Sequence, residues 1–178
     1  MKFDLFRNAR REFPESQRLL ALIPAGLFFV GLLPFLLIVL GRTFDRWLGL
    51  PALAFPPYDL ILGVLLIAAG WPLAIWTIIV QFTAGRGTPI PAMAPQKLLV
   101  QPPYTLCRNP MTLGAILAYL GVGVLIGSIS ALLLVILLGA RLLWYIHRNE
   151  EPQLLEQFGQ DYADYRQRTP FFFPRIKF

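Results

Sequence analysis

Two short polar clusters carry the residues able to do chemistry in an otherwise apolar chain. Arg108-Asn109-Pro110-Met111 stands immediately before one hydrophobic block, and His147-Arg148-Asn149-Glu150-Glu151-Pro152 follows the last one. They bracket a single short apolar stretch, so folding that stretch into a helical hairpin brings both clusters to the same membrane face. The first cluster closes a Pro-rich crossing, with prolines at 89, 91, 95, 102, 103 and 110. Such backbone cannot pair with itself as a regular helix, and it exposes NH and CO groups able to hold a polar ligand. Adjacent carboxylates like Glu150 and Glu151 are costly at a membrane edge unless water or a bound cation solvates them. The chemistry this suggests is a pocket for a soluble cofactor beside the lipid; the plainer reading of the same residues is a solvated helix end, since exit points are ordinarily charged.

Arg141 lies about two turns inside the end of the last apolar block. A charge there is a functional candidate by default, with snorkelling to the interface as the competing account. His147 is the only histidine, and at a helix exit a lone histidine is more often structural than catalytic. The single cysteine, Cys107, excludes an intrachain disulfide. The sequence has no metal-ligand spacing of His, Cys and carboxylates, no Gly-rich phosphate loop and no nucleophile elbow.

The elements that must position these clusters are membrane helices. Of the 178 residues, 56% are hydrophobic and only 15% charged, with a mean hydropathy of +0.59, against roughly 25% charge in soluble domains. The apolar residues come in blocks long enough to cross a bilayer core of about 30 Å, so the fold class expected is an all-α integral membrane protein with about four transmembrane helices. Residues 1–18 mix phenylalanines with basic residues and read as a cytosolic interfacial segment, interrupted near Pro14, or as a charged tail that only sets orientation. Residues 19–82 hold two transmembrane helices, about 19–40 and 58–82. The first should bend around Pro24, Gly26, Gly31 and Pro34, the second should kink at Gly70-Trp71-Pro72, and residues 41–57 should connect them along the interface. The 36 residues from Thr112 to His147 are too few for two full spans plus a turn, so they form a short hairpin turning near Gly127-Ser128. A polar, aromatic tail follows.

Four crossings place both termini on one side. Thirteen Lys and Arg collect there, in the N-terminal segment, at Arg86, Lys97, Arg108 and Arg148, and along the tail, against Arg42 and Arg46 opposite. By the positive-inside rule the termini and the Pro-rich loop are cytoplasmic.

The ordered pair GTPIPAMAPQKLLVQPPYTLCRNPMTLG and EEPQLLEQFGQDYADYRQRTPFFFP, separated by a short apolar hairpin, resembles the isoprenylcysteine carboxyl methyltransferase-like family of integral membrane methyltransferases, itself similar to phospholipid N-methyltransferases. The resemblance covers roughly residues 85–175, so residues 83–178 would be the catalytic region. It implies S-adenosylmethionine as methyl donor, held by a cytosolic loop and tail, and a lipid or lipid-linked acceptor, with no nucleic-acid partner, in a multi-pass protein of a bacterial inner membrane. By position, Leu99, Val100 and Tyr104 would border the donor and Asn109, Pro110, Met111 and Thr112 would hold its polar end. Glu150 and Glu151 would contact it, Phe158-Gly159 and Tyr162 would shape the tail around it, and Arg108, Arg141 and Glu150 are the candidates for a catalytic role.

The chain departs from that family's pattern at four places. Asn109 stands where histidine is frequent, Thr112 where tyrosine is common and Pro102 where glycine is common. Ile146 stands where the prenylcysteine enzymes carry an arginine that contacts the substrate carboxylate. These changes leave three readings open: a methyltransferase for a neutral or amine-bearing lipid, a carboxyl methyltransferase, or a non-enzymatic relative that binds or scaffolds.

Overall fold

The computed structural model describes residues 13–174, and every described element is helical. The first, α1 (Glu15–Gly26), starts behind Pro14 and passes through a wide π-helical turn, Leu27–Leu32, into α2 (Leu33–Leu48). Gly49, with φ of 64°, ends α2 in the left-handed conformation that a glycine adopts without a Cβ penalty. Then come α3 (Tyr58–Thr83), α4 (Pro110–Leu125) and α5 (Ile129–Tyr145). A second π-helical turn, Ile146–Glu150, carries the chain into α6 (Glu151–Arg168). Three helical runs are long and apolar enough to cross a membrane, Glu15–Leu48, Tyr58–Thr83 and Ile129–Arg168, and α4 is a shorter apolar helix. At 1.5 Å per residue α4 spans only about 24 Å. The all-α membrane architecture and the short hairpin turning at Gly127-Ser128 are therefore as the sequence indicates.

Two features of the first helix differ, each for a local reason. The bend expected among Pro24, Gly26, Gly31 and Pro34 takes the form of the π-helical turn at Leu27–Leu32. Such a turn leaves carbonyls without regular helical partners, and the Tyr119 hydroxyl of α4 donates to Phe29 O at 2.8 Å. The first helix also runs on past Gly41, where an interfacial connection was expected, as far as Leu48. Its polar last turns have a partner: Asp45 Oδ1 accepts the Ser130 backbone N–H at 2.9 Å, next to Ser128 Oγ, which caps the start of α5 by accepting from Ala131 N. The interfacial connection shrinks to residues 49–57. Gly70-Trp71-Pro72, where a kink is expected, lies within the single helix α3, and Trp71 packs edge-on against Tyr119 at 5.8 Å. Most of the N-terminal segment read as interfacial lies outside the described residues. Within them, Arg18 is buried and donates from Nη1 to Phe82 O at 2.9 Å while lying over the Phe82 ring. A cation on the last carbonyls of α3 is favourable there.

The closest helix pair is α3 against α4, antiparallel and backbone to backbone. A Cβ placed on Gly70 would meet Gly114 O at 2.4 Å and Ala118 N at 2.5 Å, and one on Gly121 would meet Gly63 O at 2.7 Å. In lipid no hydrophobic force separates helix from solvent, so small residues that let backbones approach supply the association. The seven-residue spacing of Gly63 with Gly70, and of Gly114 with Gly121, is the sequence signal for this interface. Around it Leu37, Tyr119, Ala131 and Val135 form the buried apolar cluster where α2, α4 and α5 meet. We expect Gly70→Ala to destabilise the fold by about 1–3 kcal/mol through overpacking. Gly26→Ala, where a Cβ meets nothing within 4 Å, should leave the melting temperature in detergent unchanged within error.

Candidate functional site

Both polar clusters meet at one end of the bundle, and Glu151 is the joint. Its side chain is 3% exposed. Oε1 pairs with Arg108 Nη2 at 2.8 Å and accepts from the Tyr162 hydroxyl at 3.1 Å, while Oε2 lies 2.9 Å from His147 Nδ1. One carboxylate thus binds the Pro-rich loop, the π-helical turn and α6 together. A buried carboxylate is tolerated when paired and fully hydrogen-bonded. The loop is held further by the tail. Arg108 N donates to Pro170 O at 2.9 Å, Arg108 Nη1 to Arg166 O at 3.1 Å, and Asn109 Nδ2 to Phe171 O at 2.9 Å. The Phe171 ring lies under the Arg108 guanidinium and edge-on to His147. To let the tail return, α6 breaks at Gly159, whose φ of 54° and ψ of −126° belong to glycine and whose Cβ position is otherwise open.

A second hydrogen-bonded line crosses the same end. Tyr165 donates to Tyr104 O at 2.8 Å, and Gln81 Nε2 of α3 donates to the Tyr104 hydroxyl oxygen at 2.6 Å. Burial pushes the Tyr104 phenol up to about 12, and burial together with neighbouring Glu151 raises that of Tyr162, so both remain neutral hydroxyls. Burial likewise raises the Cys107 thiol, which is fully enclosed and therefore inert.

Of the residues singled out from the sequence, Tyr104, Arg108, Asn109, Glu151 and Tyr162 are joined in these networks. Pro110, Met111 and Thr112 form the first turn of α4, whose N-terminus no side chain caps because Asn109 has turned to Phe171. Leu99 is buried and Val100 exposed. Together with Ala84, Lys97, Leu98 and Gln101 they line a hollow of about 190 Å³. Glu150 is partly exposed, has no ion-pair partner among the described residues, and is raised by burial above the ordinary carboxylate range. Arg141 stands apart from this group: it is exposed on α5, with its guanidinium 4.7 Å over the Trp144 ring. Ile146 is 5% exposed and faces protein. Sequence reasoning missed Gln81, Tyr165 and Phe171. Gln81 carried a usable signal, an amide four residues after Thr77 in an apolar helix, where membrane-facing polarity is costly. Among the described residues no group of three His, Cys, Asp or Glu is placed to hold a metal ion.

A helical membrane bundle with a polar loop and tail clasped at one end defines the general class, and comparison with known proteins names the family. The phospholipid methyltransferase family matches residues 58–161, more than half of the chain, and the chain belongs to that family. It is similar to the cobalt-zinc-cadmium resistance protein CzcN of Cupriavidus metallidurans, 34% identical over 79 residues, which are 44% of this chain and 36% of that protein. It is also similar to the nickel-cobalt-cadmium resistance protein NccN of Alcaligenes xylosoxydans xylosoxydans, 31% identical over 80 residues, 45% of this chain and 37% of that one. The match thus spans little more than a third of these curated relatives. No solved structure matches.

Breaking a buried pair leaves its partner charge uncompensated. We expect Glu151→Gln, which keeps the shape and loses the charge opposite Arg108, to cost about 3 kcal/mol, read as a lower melting temperature in detergent. Glu156→Gln, on the exposed face of α6, should shift stability by no more than about 0.5 kcal/mol.

Proposed function

We propose that the chain is an S-adenosylmethionine-dependent methyltransferase that acts on a membrane-embedded lipidic substrate at the cytosolic face. The observation that carries this reading is the joining of the Arg108-Asn109 loop to the Glu151–Tyr162 segment in a chain of the phospholipid methyltransferase family. The cytosolic placement rests on the thirteen basic residues that gather on that side.

The residues present fit such a donor. The uncapped N-terminus of α4, at Met111 and Thr112, suits its carboxylate, as helix N-termini suit anions. Glu150, partly exposed and without an ion-pair partner among the described residues, would as a carboxylate meet its amino and sulfonium charges. Bound there, the donor supplies a methyl group made electrophilic by its sulfonium. The contribution of the chain is to hold the acceptor in line with the breaking S–C bond and to exclude water. Such positioning is worth about 7–11 kcal/mol at best, without a metal. Asn109 orients the loop through Phe171, and Glu151 holds loop and tail together without touching either reactant. If the chain shares the process that names CzcN and NccN, its route to metal resistance is alteration of a membrane head group.

Isothermal titration calorimetry in detergent with S-adenosylhomocysteine tests the donor site. Micromolar binding is expected, with Glu150→Ala and Asn109→Ala each weakening it by about 1.5–3 kcal/mol, or roughly 10- to 100-fold. Folded protein that gives no heat would favour the scaffold reading instead.

The acceptor expected is neutral or amine-bearing. A carboxylate drawn to the boundary of head groups and chains needs a compensating cation. Ile146 is apolar and faces protein, and Arg141 lies over Trp144 on the outer face of α5. Incubating the protein with methyl-labelled donor and total membrane lipid, then treating the extract with mild base, separates the chemistries. The label should stay in the lipid phase; release as methanol would reveal a methyl ester and reject this choice of acceptor.

A further inference from the structure

Arg141 is a charged residue that the donor site leaves unused, and it stands on the lipid side of α5. The inward face of that helix is set by Ala131, Val135 and Gly139, all buried. Positions 133, 137 and 141 each lie two residues further on, which is about 200° around the helix. They face away from the bundle. Leu133 is 52% and Leu137 65% exposed, and Leu138, Leu142 and Trp144 beside them are exposed as well. Arg141 comes four residues before Tyr145, the end of α5, which is only about 6 Å along the axis. A long side chain at that depth brings its charge to the level of the lipid head groups.

The protein satisfies this cation in part. The guanidinium lies 4.7 Å over the Trp144 ring, and the aromatic face holds it by the attraction between cation and ring. The five N–H donors lie in the plane of the group and stay open, in the fork that matches a phosphate bidentately. Among the described residues no carboxylate and no hydrogen-bond acceptor meets them. Residues 60–149 contain no Asp or Glu at all, so the sequence around this face offers no counter-charge. Arg148, exposed seven residues further on, adds a second positive charge without an ion-pair partner among the described residues. Two cations, an interfacial aromatic ring and a leucine surface below them are the complement of an anionic lipid.

We propose that this outer face of α5 binds an anionic phospholipid, with the Arg141 guanidinium on the lipid phosphate, Trp144 behind the guanidinium, Arg148 balancing the net charge and the acyl chains along Leu137 and Leu133. The site is separate from the joined loop and tail and does not rest on the methyltransferase reading. The lipid is held there as a partner, and Arg141 takes no part in bond making.

Thermal unfolding of the full chain in a neutral detergent tests it, with phosphatidylglycerol, phosphatidylcholine and inorganic phosphate titrated in turn. Phosphatidylglycerol should raise the melting temperature saturably, as a ligand of the folded state does. Phosphatidylcholine, whose own ammonium neutralises its phosphate, should need about tenfold more to give the same rise, and inorganic phosphate should give none. Arg141→Gln should weaken the phosphatidylglycerol response about tenfold. Arg141→Lys, which keeps the charge and loses the fork, should fall between, and Arg42→Gln, exposed at the other end of the bundle, should respond as the unaltered protein does. Equal responses to the two lipids, a full response to inorganic phosphate, or an unchanged response in Arg141→Gln would each overturn the proposal. The comparison of the two lipids needs no substitution, so it reads out even if a variant fails to fold.

Discussion

The ion pair between Arg108 and Glu151 is the contact on which the polar end of this protein depends. It joins two stretches separated by the whole α4–α5 hairpin and sits where neither partner is solvated. Two buried charges are tolerated there because each has further partners: Glu151 also takes Tyr162 and His147, and Arg108 also reaches Arg166 O and the Phe171 ring, although Arg108 Nε stays buried without a hydrogen bond. The geometry of the loop follows from this. Once Arg108 is fixed, Asn109 is drawn to the tail, Pro110 opens α4 and the first amides of that helix are left without a side-chain cap.

The opposite end of the bundle is fastened by similar means on a smaller scale. Asp45, at the end of α2, accepts the Ser130 backbone N–H in the first turn of α5 beside the Ser128 cap, where a negative charge is favoured by the helix dipole. Between the two fastened ends the helices are held by glycine contacts and lipid-facing aliphatic residues. The division of labour is physical: close packing suffices inside the bilayer, whereas polar backbone at either boundary needs named partners.

How much of this was legible in the sequence depends on the range of the interaction. Block lengths and proline positions are local, so the helices, the short hairpin and the Pro-rich loop could be read directly. The relation between the two polar clusters was also legible, because a hairpin returns its ends to one face. What the sequence does not display is which of two adjacent glutamates turns inward. Glu151 rather than Glu150 makes the buried pair, and that choice follows from the π-helical turn Ile146–Glu150, which changes the angular phase of the helix just before it. The continuation of α2 to Leu48 depended on Ser130, 85 residues away from Asp45, and no local pattern announces such a partner. The partnership of Gln81 with Tyr104 was hidden for the same reason, although the heptad of glycines that sets α3 against α4 was open to view and went unread.

The bond from Tyr119 to Phe29 O acts on the first helix as a key acts on a shaft. Most of that helix faces outward with smooth aliphatic and aromatic side chains, and such a surface offers little resistance to sliding or to turning about its own axis. A carbonyl freed by the wide turn at Leu27–Leu32 removes that freedom. Any rotation by one residue would carry it away from the Tyr119 hydroxyl and expose it to hydrocarbon, where an unpaired carbonyl costs several kcal/mol. The irregular turn therefore selects one rotational setting of an otherwise featureless helix, and the alignment of α1 with the rest of the bundle is specified by a defect in its own ladder.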